Sequence, residues 1–240
     1  MNFDPGYVPF SRYGSYMVLS HLAKSEKRRE GLYLRSAHGD ALLQPEVFRI
    51  ELLHKKMPVP FREIATPPLL RLQAQEGYAE ICIPEPKLLR IKGRRVGIRL
   101  TKTTDVLGTA IPVGHLRWEI NSFSNQTKYM LTPIKGSLFI DAPWKGTKCD
   151  YIVANLFPDP DSGVLECAAE EFHSVWHKRN YPRSFQDSLK TVENEYQEWL
   201  SKTPEVPDAY GQPRELAAYI TWSCVVAPEG HLTRPAMYMS

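Results

Sequence analysis

Apolar and polar residues alternate in short runs through the first two thirds of the chain, the pattern of strands that turn one face to a core. Met17, Leu19 and His21 alternate with Tyr16, Val18 and Ser20. Val47-Phe48-Arg49-Ile50-Glu51-Leu52 forms a second run, and Leu116-Arg117-Trp118-Glu119-Ile120 alternates cleanly. Leu69 to Gln73 and Tyr78 to Ile83 flank Gln75-Glu76-Gly77. Leu88 to Ile91 and Val96 to Leu100 flank Lys92-Gly93-Arg94. Both spacings predict hairpins. Tyr129 to Leu131, Ser137 to Ile140 (with Lys135-Gly136 between them) and Tyr151 to Leu156 bring the set to about ten strands, at the spacing of a sandwich or barrel. No long helical period interrupts them, which argues against a parallel βαβ sheet. The expected fold class is mainly β, an antiparallel β-sandwich over residues 1–160.

The period lengthens after Pro160. Leu165, Ala168, Phe172 and Val175 recur at helical intervals and predict a helix over 163–178. Ser184, with Asp187 in a variant of the capping box, opens a second helix over about 185–202. Its stripe is Phe185, Leu189, Val192, Tyr196 and Trp199, and Pro204 ends it. Thr203 to Asp208 reads as a stiff connector. Pro213 suits the first position of a third helix, over about 213–226. Leu216, Tyr219, Ile220, Trp222 and Val225 spread around that helix, and a helix apolar almost all round must be enclosed. The short segment after it cannot enclose it. The pattern therefore predicts a helical linker over 161–207 and the start of a larger, truncated helical domain over 208–240. Packing of this helix into a dimer is the alternative.

Composition narrows the classes. Hydrophobic residues at 42% and charged residues at 24% are ordinary globular values. A net charge of +3 leaves no electrostatic footprint for nucleic acid. No apolar run approaches the ~18 residues of a membrane span. The opening MNFDPGYVPF has neither the basic nor the apolar part of a secretory signal. Cys82, Cys149, Cys167 and Cys224 form no CxxC pair, so they read as buried thiols in a reducing compartment, and the expected location is cytoplasmic.

Candidate chemistry is sparse. His173 and His177 lie four apart on the first predicted helix and could share a metal, but the glutamate of HExxH is absent. They read as a solvated or capping pair, and no metal ligand or cofactor is assigned. The runs Lys24 to Glu30 and Lys92 to Arg95 read as solvated turns. Trp118 and Trp144, with Tyr7, Tyr13 and Tyr16, could form a sugar-stacking platform. Trp118 sits in an alternating strand and reads as core, whereas Trp144 follows Pro143 in a loop and stays open to either role. Phosphate-binding glycine loops and the Gly-x-Ser-x-Gly elbow are absent.

The order of strand-rich region, linker helices, Arg214-Glu215-Leu216-Ala217-Ala218-Tyr219 and His231-Leu232-Thr233-Arg234-Pro235-Ala236-Met237-Tyr238-Met239-Ser240 resembles bacterial glycosidases of the amylo-α-1,6-glucosidase, trehalase-like and mannosylglycerate-hydrolase type. The resemblance implies an N-terminal supersandwich, a helical linker and an (α/α)6 barrel. It implies the N-terminal fragment of an inverting glycoside hydrolase acting on α-glucosides or related oligosaccharides, with no cofactor. Its partners would be the oligosaccharide and the remainder of the barrel. The family's catalytic acid and base fall beyond Ser240. Inversion needs two carboxylates ~6.5–9.5 Å apart, and neither spacing nor resemblance selects Glu119, Asp141 or Glu229, so no catalytic residue is assigned. Arg234, Tyr238 and Ser240 are expected to reach substrate, because the family's loop after the first barrel helix lies at the cavity mouth. A stand-alone sandwich that binds carbohydrate or a partner without chemistry is the alternative, and a purely structural domain is a third reading.

Overall fold

A computed structural model describes residues 1–26, 28–38, 46–102, 108–114, 116–123 and 127–238. Ser240, and Lys27 of the first charge run, lie outside the described residues. In chain order the strands are β1 (Met17–Leu22), β2 (Gly31–Ser36), β3 (Glu46–His54), β4 (Met57–Val59), β5 (Arg62–Thr66), β6 (Leu69–Gln73), β7 (Tyr78–Glu85), β8 (Leu88–Arg94), β9 (Gly97–Lys102) and β10 (Gly108–Val113). They continue with β11 (Arg117–Ser122), β12 (Thr127–Lys135), β13 (Ser137–Asp141), β14 (Trp144–Lys145), β15 (Lys148–Cys149), β16 (Ile152–Phe157) and β17 (Val164–Phe172). Two α-helices follow among the described residues, α1 (Phe185–Ser201) and α2 (Gly211–Ser223), the second preceded by a short 3-10 turn at Asp208–Tyr210, then β18 (Val225–Val226) and β19 (Ala236–Met237).

One sheet runs β1-β2-β3-β9-β16-β13, with β4 on β3, and the other runs β10-β11-β12-β17-β8-β7-β6-β5. Every strand pairing within them, among the described residues, is antiparallel. Leu19, Leu34, Phe48 and Leu100 of the first sheet join Leu72, Ile81, Ile91 and Leu131 of the second in one hydrophobic core. Phe48 meets Tyr129 edge-on, ring centroids 5.7 Å apart. Burying a large apolar side chain contributes about 1.5–3 kcal/mol, so this shared core is the main stabilising element.

The far face of the second sheet is covered as well. Cys82 of β7 joins Phe185, Val192, Tyr196, Tyr219 and Trp222 in a second cluster that seats α1 and α2 on the sheet. Ser184 caps α1 as expected, its hydroxyl accepting from the Asp187 amide at 3.1 Å. Arg12 ties the N-terminal segment into this layer through Ile83 O at 3.3 Å, Pro84 O and the Glu195 carboxylate.

Three local expectations are corrected. Residues 163–178 are not helical, because Val164–Phe172 is the strand β17 between β12 and β8. Leu165, Cys167 and Ala169 enter the core at a spacing of two, and the opposite face is covered too, so burial is nearly continuous and masks the alternation. Lys92-Gly93-Arg94 is not a hairpin turn either. β8 runs through it to Arg94, and the chain then crosses to the other sheet through Arg95, at φ 63°. The hairpin at Gln75-Glu76-Gly77 forms as expected between β6 and β7. The third predicted helix ends at Ser223, because Val225–Val226 pairs with β19 and Val226 bridges Gly14.

Candidate functional site

Polar chemistry gathers where β17 ends. Glu170 and Glu171 are 8% and 3% exposed, so each needs partners to stay charged. Glu170 receives the Trp176 Nε1–H at 2.8 Å and the Tyr181 hydroxyl, and its other oxygen lies 2.6 Å from Arg179 Nε. Glu171 lies 2.7 Å from His38 Nε2 and accepts from the Tyr129 hydroxyl at 3.2 Å. Burial and the Glu170 hydrogen bond raise the Tyr181 hydroxyl, while burial and Glu171 raise Tyr129, so both phenols stay protonated donors.

The C-terminal segment supplies a third carboxylate. Gly14 N–H donates to Val225 O at 2.7 Å, and the Tyr16 hydroxyl donates to Ala227 O at 2.8 Å. These bonds hold the turn that carries Glu229. Its carboxylate pairs with Lys87, from the β7–β8 turn, and lies 2.8 Å from His173 Nε2 and 3.6 Å from His38 Nε2. Burial pushes the Glu229 carboxyl up, but the Lys87 hydrogen bond and the charges of Lys87, His173 and His38 outweigh it and hold the carboxyl below its ordinary value. Tyr16 stacks on His38 with ring centroids 3.7 Å apart, and His173 meets His38 edge-on at 4.8 Å. A cavity of about 490 Å³ opens here, lined among others by Glu85, Lys87, Glu170, His173, Arg179 and Glu229.

Larger cavities carry less chemistry. One of about 600 Å³ contains His21, whose Nδ1 lies 2.8 Å from Glu63. Another of about 860 Å³ is mainly apolar, between Phe3, Tyr7 and Val8 and the start of α2 at Pro213 and Leu216. At the β17 cavity, titratable groups from the β7–β8 turn, the end of β17 with its following loop, and the C-terminal turn converge, with His38 beside them.

Of the residues expected to reach substrate, the two described ones lie elsewhere. Arg234 is exposed and outside the β17 cavity. Tyr238 is half-buried, its amide donating to Cys224 O at 3.1 Å and its hydroxyl raised by burial. Of the three unassigned carboxylates, Glu119 pairs with Lys128 at 3.1 Å and Asp141 accepts from the Tyr151 hydroxyl at 3.1 Å; Glu229 alone joins the cavity. Trp118 packs partly buried against the core, and Trp144 is 56% exposed. His173 and His177 line the cavity from a loop, not from a helix. Sequence reasoning missed His38 and Lys87 altogether. The one available signal was Glu170-Glu171 inside an apolar run, since adjacent buried carboxylates demand donors.

No protein-family model matches the chain. No curated protein matches it. Solved structures share its fold. A GH92-family glycosyl hydrolase superposes with a TM-score of 0.61 at 8% identity, over 94% of this chain and 40% of its own. A human-microbiome protein assigned as a kojibiose phosphorylase superposes with a TM-score of 0.53 at 9% identity, over 93% of this chain and 41% of its own. This chain thus spans about two fifths of the length of each. The likeness is one of fold.

Proposed function

We propose that the chain is the N-terminal part of a glycoside hydrolase acting on α-glucosides or related oligosaccharides. The supporting observation is the likeness of almost its whole length to two fifths of a glycosyl hydrolase. In this reading the two sheets form the N-terminal sandwich. Residues 161–207 link it onward, with Val164–Phe172 lent back to the sheet, and the chain enters an (α/α)6 barrel from residue 208. The apolar cavity beside Tyr7 and Leu216 supports docking of the remaining barrel. Arg234, Tyr238 and Ser240 are the proposed substrate contacts, donors suited to orienting sugar hydroxyls. The catalytic pair belongs to the barrel. The buried free thiols Cys82, Cys149 and Cys167 support a cytoplasmic setting.

The test compares the 240-residue chain with a version extended by the downstream reading frame, on trehalose and a panel of α-glucosides. Turnover by the extended protein alone is the expected result. Turnover by the shorter chain, or a stop codon directly after Ser240, overturns the proposal.

A second reading has its own support. Tyr219 and Trp222 are 0% and 2% exposed, so α2 finds much of its cover within this chain. That favours a self-contained carbohydrate-binding or partner-binding sandwich, for which oligosaccharide is retained and neither version turns it over.

A further inference from the structure

We propose that His38, His173 and Glu229, with Glu171 beside them, bind a divalent transition-metal ion of the zinc class, which pins the C-terminal segment and the loop after β17 to both sheets. The inference is independent of the glycosidase reading, since it concerns how the chain's own parts are held together.

The geometry carries it. One donor atom from each of His38, His173 and Glu229 lies within 4.8 Å of the others. Tetrahedral zinc bonds of ~2.0–2.1 Å place ligand atoms a little over 3 Å apart, so small side-chain rotations close the set around one ion. Glu171 Oε1, 2.7 Å from the same His38 Nε2, offers a fourth donor. Two imidazoles with two carboxylates favour zinc or cobalt over calcium or magnesium, which take oxygen alone. Supporting groups fix the donors. The Tyr129 hydroxyl orients Glu171, Tyr16 stacks on His38, and the bonds from Gly14 and Tyr16 fix the Glu229 turn. Such outer partners set ligand orientation and commonly change metal affinity ~10–100-fold.

Charge agrees. Four carboxylates, from Glu85, Glu170, Glu171 and Glu229, face the cavity against the cations Lys87 and Arg179. Lys87 already holds a positive charge against Glu229, as a cation would. Its side chain is 47% exposed and free to swing outward, so it is a displaceable competitor of the ion. The donors come from the segment after β2 at His38, from β17 of the second sheet at Glu171, from the following loop at His173 and from the C-terminal turn at Glu229. One ion therefore cross-links segments far apart in sequence, and binding to the folded form alone adds to stability.

The test uses the full chain, stripped with chelator and titrated with zinc chloride by calorimetry and with cobalt(II) by visible absorption. The wild type is expected to bind one equivalent, to show tetrahedral cobalt bands and to unfold at a higher temperature with zinc. His173→Ala and Glu229→Gln are expected to weaken binding at least about tenfold, with metal-free unfolding close to wild type. Lys87→Met removes the competing charge and is expected to tighten binding. This variant keeps the test decisive should a ligand variant fail to fold. No cobalt bands and no stoichiometric zinc, or binding indifferent to His173, Glu229 and Lys87, overturns the proposal.

Discussion

Lys102 is the least comfortable side chain of the shared core, 2% exposed and donating to Ser122 Oγ at 2.8 Å. Burial pushes its ammonium down to about 8 from the ordinary 10.5. Below pH 8 folded and unfolded chains both carry this proton, and folding bears the full cost of burying the charge. Between about 8 and 10.5 the unfolded chain holds more protons at this site, so raising pH favours the folded form and the cost disappears. Lys102→Met should therefore stabilise the protein by about 1–3 kcal/mol at pH 7, less a contribution for the partner lost by Ser122. Urea unfolding of both proteins from pH 7 to 10.5 checks it. The gap between them should narrow as pH rises, and a gap constant with pH would remove the buried charge as its cause.

The strands show how one sheet hands the chain to the other. β12 ends in the eight-stranded sheet and β13 begins in the seven-stranded one, with Gly136 between them at φ 86°. A Cβ at this position would stand 2.2 Å from Phe157 O. Gly136→Ala thus meets a left-handed backbone and a close approach at once, the former alone costing ~1–2 kcal/mol. A stability loss of about 2 kcal/mol or more is expected, read as a lower urea midpoint with an unchanged slope. An unchanged midpoint would mean that the crossing is slack enough to reshape.

Over the whole molecule, α2 belongs to the packing of the sheets as much as to anything beyond them. The Ser11 amide donates to the Tyr219 hydroxyl at 3.1 Å, and Tyr219 and Trp222 close the second cluster against α1 and β7. The first core lies between the sheets and contains no residue of α2. Deleting 208–240 should leave a folded, strand-rich protein that is less stable by roughly 3–6 kcal/mol, from two large side chains removed. It should also be prone to associate through the uncovered Phe185 and Tyr196. Paired sedimentation and urea unfolding test this. Loss of all cooperative unfolding would make α2 part of the primary core, and unchanged stability would show that the second cluster contributes little.

What the sequence determined by itself was whatever depends on neighbours along the chain. Period two in β3 and β11, the glycine turn between β6 and β7, and the Ser184 cap of α1 are local devices, readable because a half-covered strand or a helix start imposes its own pattern. β17 was illegible for the opposite reason. Glutamate and alanine are weak strand formers, and cover on both faces erased the alternation, so only pairing with β12 and β8 decides that segment. The crossing at Arg95 was hidden likewise, since a glycine in Lys92-Gly93-Arg94 looks the same whether the chain turns back or continues. The site lay furthest from view. His38, Lys87, Glu171, His173 and Glu229 meet because two sheets, a loop and a bridged C-terminal segment end at one place. Such convergence is set by long-range pairing, and nothing in the spacing of those residues along the chain encodes it.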